Sequence, residues 1–161
     1  MADKAFDQSL LSRAIALSRE QMRAGKGGPF GAVIADSNGK IIAEGWNCVT
    51  SGNDPTAHAE VTAIRRACTA LERFDLKGHV IYSSCEPCPM CLAAIYWARL
   101  DRLVFANSRD DAAAIGFDDA AIYDEIPKPI EARSIPTAHL PSEEGRAVFA
   151  EWMLKADRIN Y

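Results

Sequence analysis

The stretch SSCEPCPMCLAAI, Ser83 to Ile95, constrains the fold more than any other part of the chain. It emerges from a short apolar run beginning at His79, HVIYSS, that reads as a buried strand. Pro89 then suits the first turn of a helix through MCLAAIYWA, because a missing N–H costs nothing there. A strand, a tight turn and a helix start therefore follow one another, with Cys85 at the strand end and Cys88 and Cys91 at the helix start. Three cysteines this close together have four readings: a redox pair, a closed structural metal knuckle, part of an open metal site, or three buried thiols. Cys88-Pro89-Met90-Cys91 does not by itself choose among them.

The rest of the chain narrows the choice. NDPTAHAEVTAIRRACTAL reads as a capped helix, with Pro55 and Thr56 marking its start and His58-Ala59-Glu60 in its opening turns. Two helices that each follow a strand and lie side by side start at the same sheet edge. His58, Cys88 and Cys91 then converge as three metal ligands, and zinc keeps its fourth position for water, as catalytic sites do. Helix N-termini also favour the thiolate form that binds metal. Glu60, two residues past His58, can stand beside that water without being a ligand. Cys85 offers the competing reading of a fourth ligand that closes the metal to water. Cys48 and Cys68 read as small buried residues. A thioredoxin-like redox pair would need a fold pattern that the remaining sequence lacks.

Leu10, Ala14 and Leu17 mark an N-terminal helix stopped near Gly25, and GAVIAD and KIIAEGWN flank the turn SNG as a hairpin. RLVFAN reads as a further strand and DDAAAIG as a short helix. FDDAAIYDEIPKPIEARSIP is irregular, and PSEEGRAVFAEWMLKA is a terminal helix. A hairpin followed by alternating helix and strand predicts an α/β domain over residues 1–161, with a mixed sheet and helices on its faces. The net charge of -4 disfavours a non-specific nucleic-acid binder. MADKAFDQSLLSRAIALSRE has no apolar segment of the signal-peptide kind, and no run reaches the roughly 18 apolar residues of a membrane span. Five cysteines clustered unlike a disulfide framework predict a reducing, cytoplasmic setting.

H-A-E followed by P-C-P-M-C matches the H-x-E…P-C-x-x-C signature of zinc nucleobase deaminases. From GGPFGAVI through EGWN and DPTAHAE to EPCPMC, the chain resembles the cytidine deaminase-like superfamily. The resemblance implies a three-layer α/β/α fold with a mixed central sheet of about five strands. It also implies one zinc per chain on His58, Cys88 and Cys91, with Glu60 as general acid/base. The segment CLAAIYWARLDRLVFANSRDDAAAIGFDDAAIYDEI and the ending INY are similar to the bacterial guanine deaminases, which implies hydrolysis of guanine to xanthine and ammonia. The alternatives are a tRNA-adenosine or cytosine deaminase of the same superfamily, or a zinc-stabilised binding module with no chemistry. Glu60, which folding does not need, argues against the last.

Within that resemblance Asp119 is the second proton shuttle, with Asp118 competing for the role, and Asn47 meets the purine edge. The backbone of Ala59 and the ring of Trp97 are pocket wall, although Trp97 reads equally as core. Phe30 and Phe117 are candidates to stack on the base. The resemblance further implies a homodimer that exchanges its C-terminal segment from about residue 126 and sets Tyr161 over the partner's site. A small nucleobase is the expected ligand, with no stable nucleic-acid or membrane partner.

Overall fold

Leu10, Ala14 and Leu17 fall on one stripe of α1 (Lys4–Arg23) and bury it against the sheet. The structure, a computed structural model, describes residues 4–161. Met1–Asp3, where the segment read as free of a signal peptide begins, lie outside the described residues. The chain divides into two units, Met1–Ala120 and Ala121–Tyr161.

The first unit holds a four-stranded sheet of order β2-β1-β3-β4, built from β1 (Gly31–Asp36), β2 (Ile41–Trp46), β3 (His79–Cys85) and β4 (Arg102–Asn107). β1 pairs antiparallel with both β2 and β3, while β3 and β4 are parallel. The two central strands are buried along almost their whole length, which explains their near-continuous apolar sequence. Alternate residues serve opposite layers. Val33, Ala35, Val80 and Tyr82 pack under α1. Ala32, Ile34 and Ile81 pack under α3 (Ala59–Leu71) and α4 (Pro89–Trp97), with Ala63, Ala67 and Ile95. This is the expected three-layer α/β/α arrangement.

Besides α6 (Ala120–Glu125), a helix within the segment read as irregular, two expectations are corrected. The sheet has four strands rather than about five. The four are those that the residues delineate. Past Asn107 the chain enters α5 (Arg109–Ala114), where Ser108 accepts from the Asp111 N–H and Asp111 returns a bond to the Ser108 N–H. That capping box commits the segment to helix. The second correction is the start of α3, which lies at Ala59 rather than at Pro55 and Thr56. Asp54 Oδ1 accepts from the Thr56 N–H at 2.8 Å and from its hydroxyl at 2.7 Å, so an Asx turn precedes the helix. A short α2 (Val49–Gly52), which the sequence pattern does not reveal, fills the connection after β2.

The second unit contains most of α6 (Ala120–Glu125), a 3-10 turn (Ile130–Ala132) and α7 (Glu143–Leu154). Glu125 accepts from Lys128 Nζ at 2.5 Å and from the Ser134 N–H at 2.7 Å, which ties the Pro-rich segment together. Ser142 caps α7 by accepting from the Gly145 N–H at 3.1 Å. No residue of α7 is buried.

Candidate metal centre and active site

β2 and β3 are both antiparallel to β1, so they run in the same direction. The helices that follow them, α3 and α4, therefore start at the same edge, outside the carboxyl ends of the strands, where open α/β sheets bind their ligands. Gly45 lets α3 lie close on β2: a Cβ there would stand 2.2 Å from the Ala59 carbonyl oxygen and 2.4 Å from the Ala63 nitrogen. His58 is the N-cap residue of α3 and Cys88 that of α4, with nearly identical backbones (φ -68°, ψ 162° and φ -62°, ψ 168°). Neither side chain caps its own helix. Both are left to face each other.

They meet at His58 Nδ1, which lies 3.6 Å from Cys88 Sγ and 3.5 Å from Cys91 Sγ. Tetrahedral zinc with Zn–S near 2.3 Å and Zn–N near 2.0–2.1 Å would put nitrogen and sulfur about 3.6 Å apart. The three ligand atoms all lie within 4.8 Å of one another and form a metal-sized cluster among the described residues. The donor set fits one zinc. Cys85 stands outside the cluster. Its thiol donates to the Ser108 carbonyl at 3.6 Å, and burial pushes its pKa up to about 11. The closed four-ligand reading thus finds no support in the geometry.

The two cluster thiols behave differently. Cys88 is held down to about 4, chiefly because the Cys91 S–H donates to it, with His58 helping against the opposing effect of burial. Cys91, as the donor, is pushed up and keeps the shared proton. The His58 ring is raised above its ordinary value by its bond with Cys88.

Glu60 sits in the first turn of α3 and is only 6% exposed. Burial raises its pKa, and the hydroxyl of Ser83, donating to Oε1 at 2.9 Å, works in the opposite direction. Asp118 and Asp119 divide as their exposure suggests. Asp118 is exposed and accepts from the Ala120 N–H at 2.9 Å, which makes it the local turn cap. Asp119 is partly buried, and its pKa is raised first by that burial and then by the negative charge of Cys88.

Asn47 follows β2 directly and is buried. Its Oδ1 accepts from the N–H of Gly28 at 3.2 Å and of Val49 at 3.3 Å. Both lone pairs are occupied, so its NH₂ is the end left to offer a ligand. A Cβ on Gly27 would lie 2.1 Å from the Asn47 carbonyl oxygen, so this seat requires glycine. Phe30 and Phe117 meet edge to face, their centroids 4.9 Å apart, and so fasten the FDD segment beside the loop before β1. Ala59 is fully buried at the first position of α3. Trp97 closes α4 at its far end and is 66% exposed, so it is not core. Tyr161 lies in the second unit and is largely exposed. Ser83, Gly27 and Gly45 escape the sequence reading. The available signal for Ser83 is a hydroxyl placed where a buried strand would otherwise carry an apolar residue.

A three-layer α/β/α fold with a His-Cys-Cys cluster at paired helix starts and a buried glutamate beside it defines a zinc-dependent deaminase. The chain belongs to the family of the cytidine and deoxycytidylate deaminase zinc-binding region, which matches residues 4–107. It is 52% identical to the guanine deaminase of Bacillus subtilis over 96% of this chain and 98% of that one. The X-ray structure of a guanine deaminase from Bacillus subtilis matches it with a TM-score of 0.93, over 96% of this chain and 98% of that one, at 52% identity. A guanine deaminase structure from Nitrosomonas europaea is 33% identical, with a TM-score of 0.68, over 81% of this chain and 70% of that one. The tRNA-specific adenosine deaminase of Haemophilus influenzae is 39% identical over 71% of this chain and 68% of its own.

Proposed function

We infer that the chain is a zinc-dependent guanine deaminase that converts guanine and water to xanthine and ammonia. The observation that carries this reading is coverage. The likeness to the guanine enzyme takes in 96% of the chain, most of the part past Gly116 included, whereas the tRNA enzyme matches 71%.

His58, Cys88 and Cys91 would hold the zinc, which when bound supplies Lewis acidity that activates water at neutral pH. Glu60 takes the proton of the attacking water and delivers it to guanine N3, the ring nitrogen beside the amino-bearing carbon. That carbon becomes the electrophile. Asp119 carries a proton to the departing amine, while Asp118 is engaged with the Ala120 N–H. Asn47 turns its NH₂ toward an acceptor on the purine edge, its oxygen being held by Gly28 and Val49. The backbone of Ala59, together with Phe30 and Phe117, bounds the base.

The chain works as a homodimer that exchanges the segment from about Ile126, so that Tyr161 of one copy stands over the site of the other, with the ring of Trp97 as pocket wall. In support of this, α7 exposes a run of apolar side chains, with Phe149 76% and Leu154 85% exposed, around a groove lined by Val148, Trp152 and Leu154. An apolar surface of this kind marks a contact. Free thiols throughout suit a cytoplasmic location. No helix among the described residues is long and apolar enough to cross a membrane.

Glu60→Gln keeps the shape of the side chain but cannot take a proton. Guanine turnover is expected to fall at least about 100-fold while about one zinc per chain is retained. Turnover near that of the parent protein would remove Glu60 from its role.

A further inference from the structure

We propose that Ser83 is the positioning residue for Glu60: its hydroxyl fixes one oxygen of the carboxylate and thereby aims the other at the reacting groups. The inference rests on the guanine deaminase reading and assigns a device to that same site. It begins with the pleat of β3. Ile81, Ser83 and Cys85 share the face that meets α3 and α4, and Val80, Tyr82 and Ser84 share the face beneath α1. A core-facing position on a central strand favours valine or isoleucine, and an unbonded hydroxyl there is costly. Ser83 is 1% exposed.

The two adjacent serines are used differently. Ser84 accepts from the Gly31 N–H at 3.0 Å and so joins backbone to backbone. Ser83 donates to Glu60 Oε1 at 2.9 Å, across 23 residues of sequence. Its Cα is held from both sides, paired with Ala32 on β1 and Phe105 on β4. The donor therefore rides on a central strand that is buried along its whole length, while the acceptor is a side chain with three rotatable bonds. Ser83 thus holds one oxygen of a flexible carboxylate from a fixed strand, and a proton shuttle misplaced by a fraction of an ångström loses much of its rate.

Threonine and valine at position 83 have the same shape and differ only in the hydroxyl. Ser83→Val should lower kcat for guanine about 10- to 100-fold, with KM changed by less than about twofold and about one zinc retained. Ser83→Thr should recover most of that loss. In a Glu60→Gln background Ser83→Val should cost little more, because the two residues act as a unit. A crystal structure of the Ser83→Val protein should show the Glu60 carboxylate rotated or in several poses. Equal losses in the threonine and valine proteins, or undiminished turnover with valine, would overturn the inference. So would a single unchanged Glu60 pose, and that result decides the matter whatever the substrate is. Failure of the parent protein to act on guanine would instead overturn the functional reading.

Discussion

Whether a cysteine binds metal depends on what its sulfur faces, and the chain offers an internal comparison three residues apart. Cys88 faces Cys91 and His58, which hold its pKa down to about 4, whereas Cys85 faces a backbone carbonyl and is pushed up by burial to about 11. Cys88→Ser should therefore lose most of the zinc and Cys85→Ser should keep about one per chain. Metal analysis of the two purified proteins checks this, and the opposite order would restore the closed four-ligand site. Cys88 and Cys91 were legible in the sequence because Pro89 and the apolar run before it fix where α4 starts. The polarity of Asn47 was not, because its oxygen is claimed by Gly28, 19 residues earlier, and Val49. Ser83 was hidden for the same reason: its partner is on another element.

At the scale of elements, the site depends on how closely α3 lies on β2. Gly45→Ala would bring a methyl group within 2.2 Å of the Ala59 carbonyl, which is backbone and cannot swing aside. The first turn of α3 must move, carrying His58 and Glu60 with it. A loss of about 1–3 kcal/mol in stability is expected from this overpacking, accompanied by weaker zinc retention. Thermal unfolding and metal content measured together test it, and parent-like values for both would contradict the packing described. All four strands and the helices α1, α3, α4, α5 and α7 could be read from apolar spacing and turn residues. The Asx turn at Asp54 displaced the expected start of α3, since proline and threonine mark turns as readily as helix starts. A fifth strand came from the resemblance alone, and the elements after β4 among the described residues are α5, α6, a 3-10 turn and α7.

For the whole molecule, the apolar face of α7 and the likeness over almost the full chain make two claims. If the terminal segment completes a partner's site, deleting Ile159–Tyr161 should cut guanine turnover strongly while zinc and the dimer persist. Light scattering and steady-state kinetics on the truncated protein check this, and a fully active truncation or a normally active monomer would refute the exchange. The broader claim is that one buried glutamate beside one zinc serves guanine in particular. Ammonia release measured side by side on guanine, guanosine, cytosine, adenine and tRNA tests it most directly. Rapid release from guanine is expected, with xanthine formed in equal amount, and little from the other four; release chiefly from tRNA or cytosine, or from none of the five, would contradict a guanine deaminase.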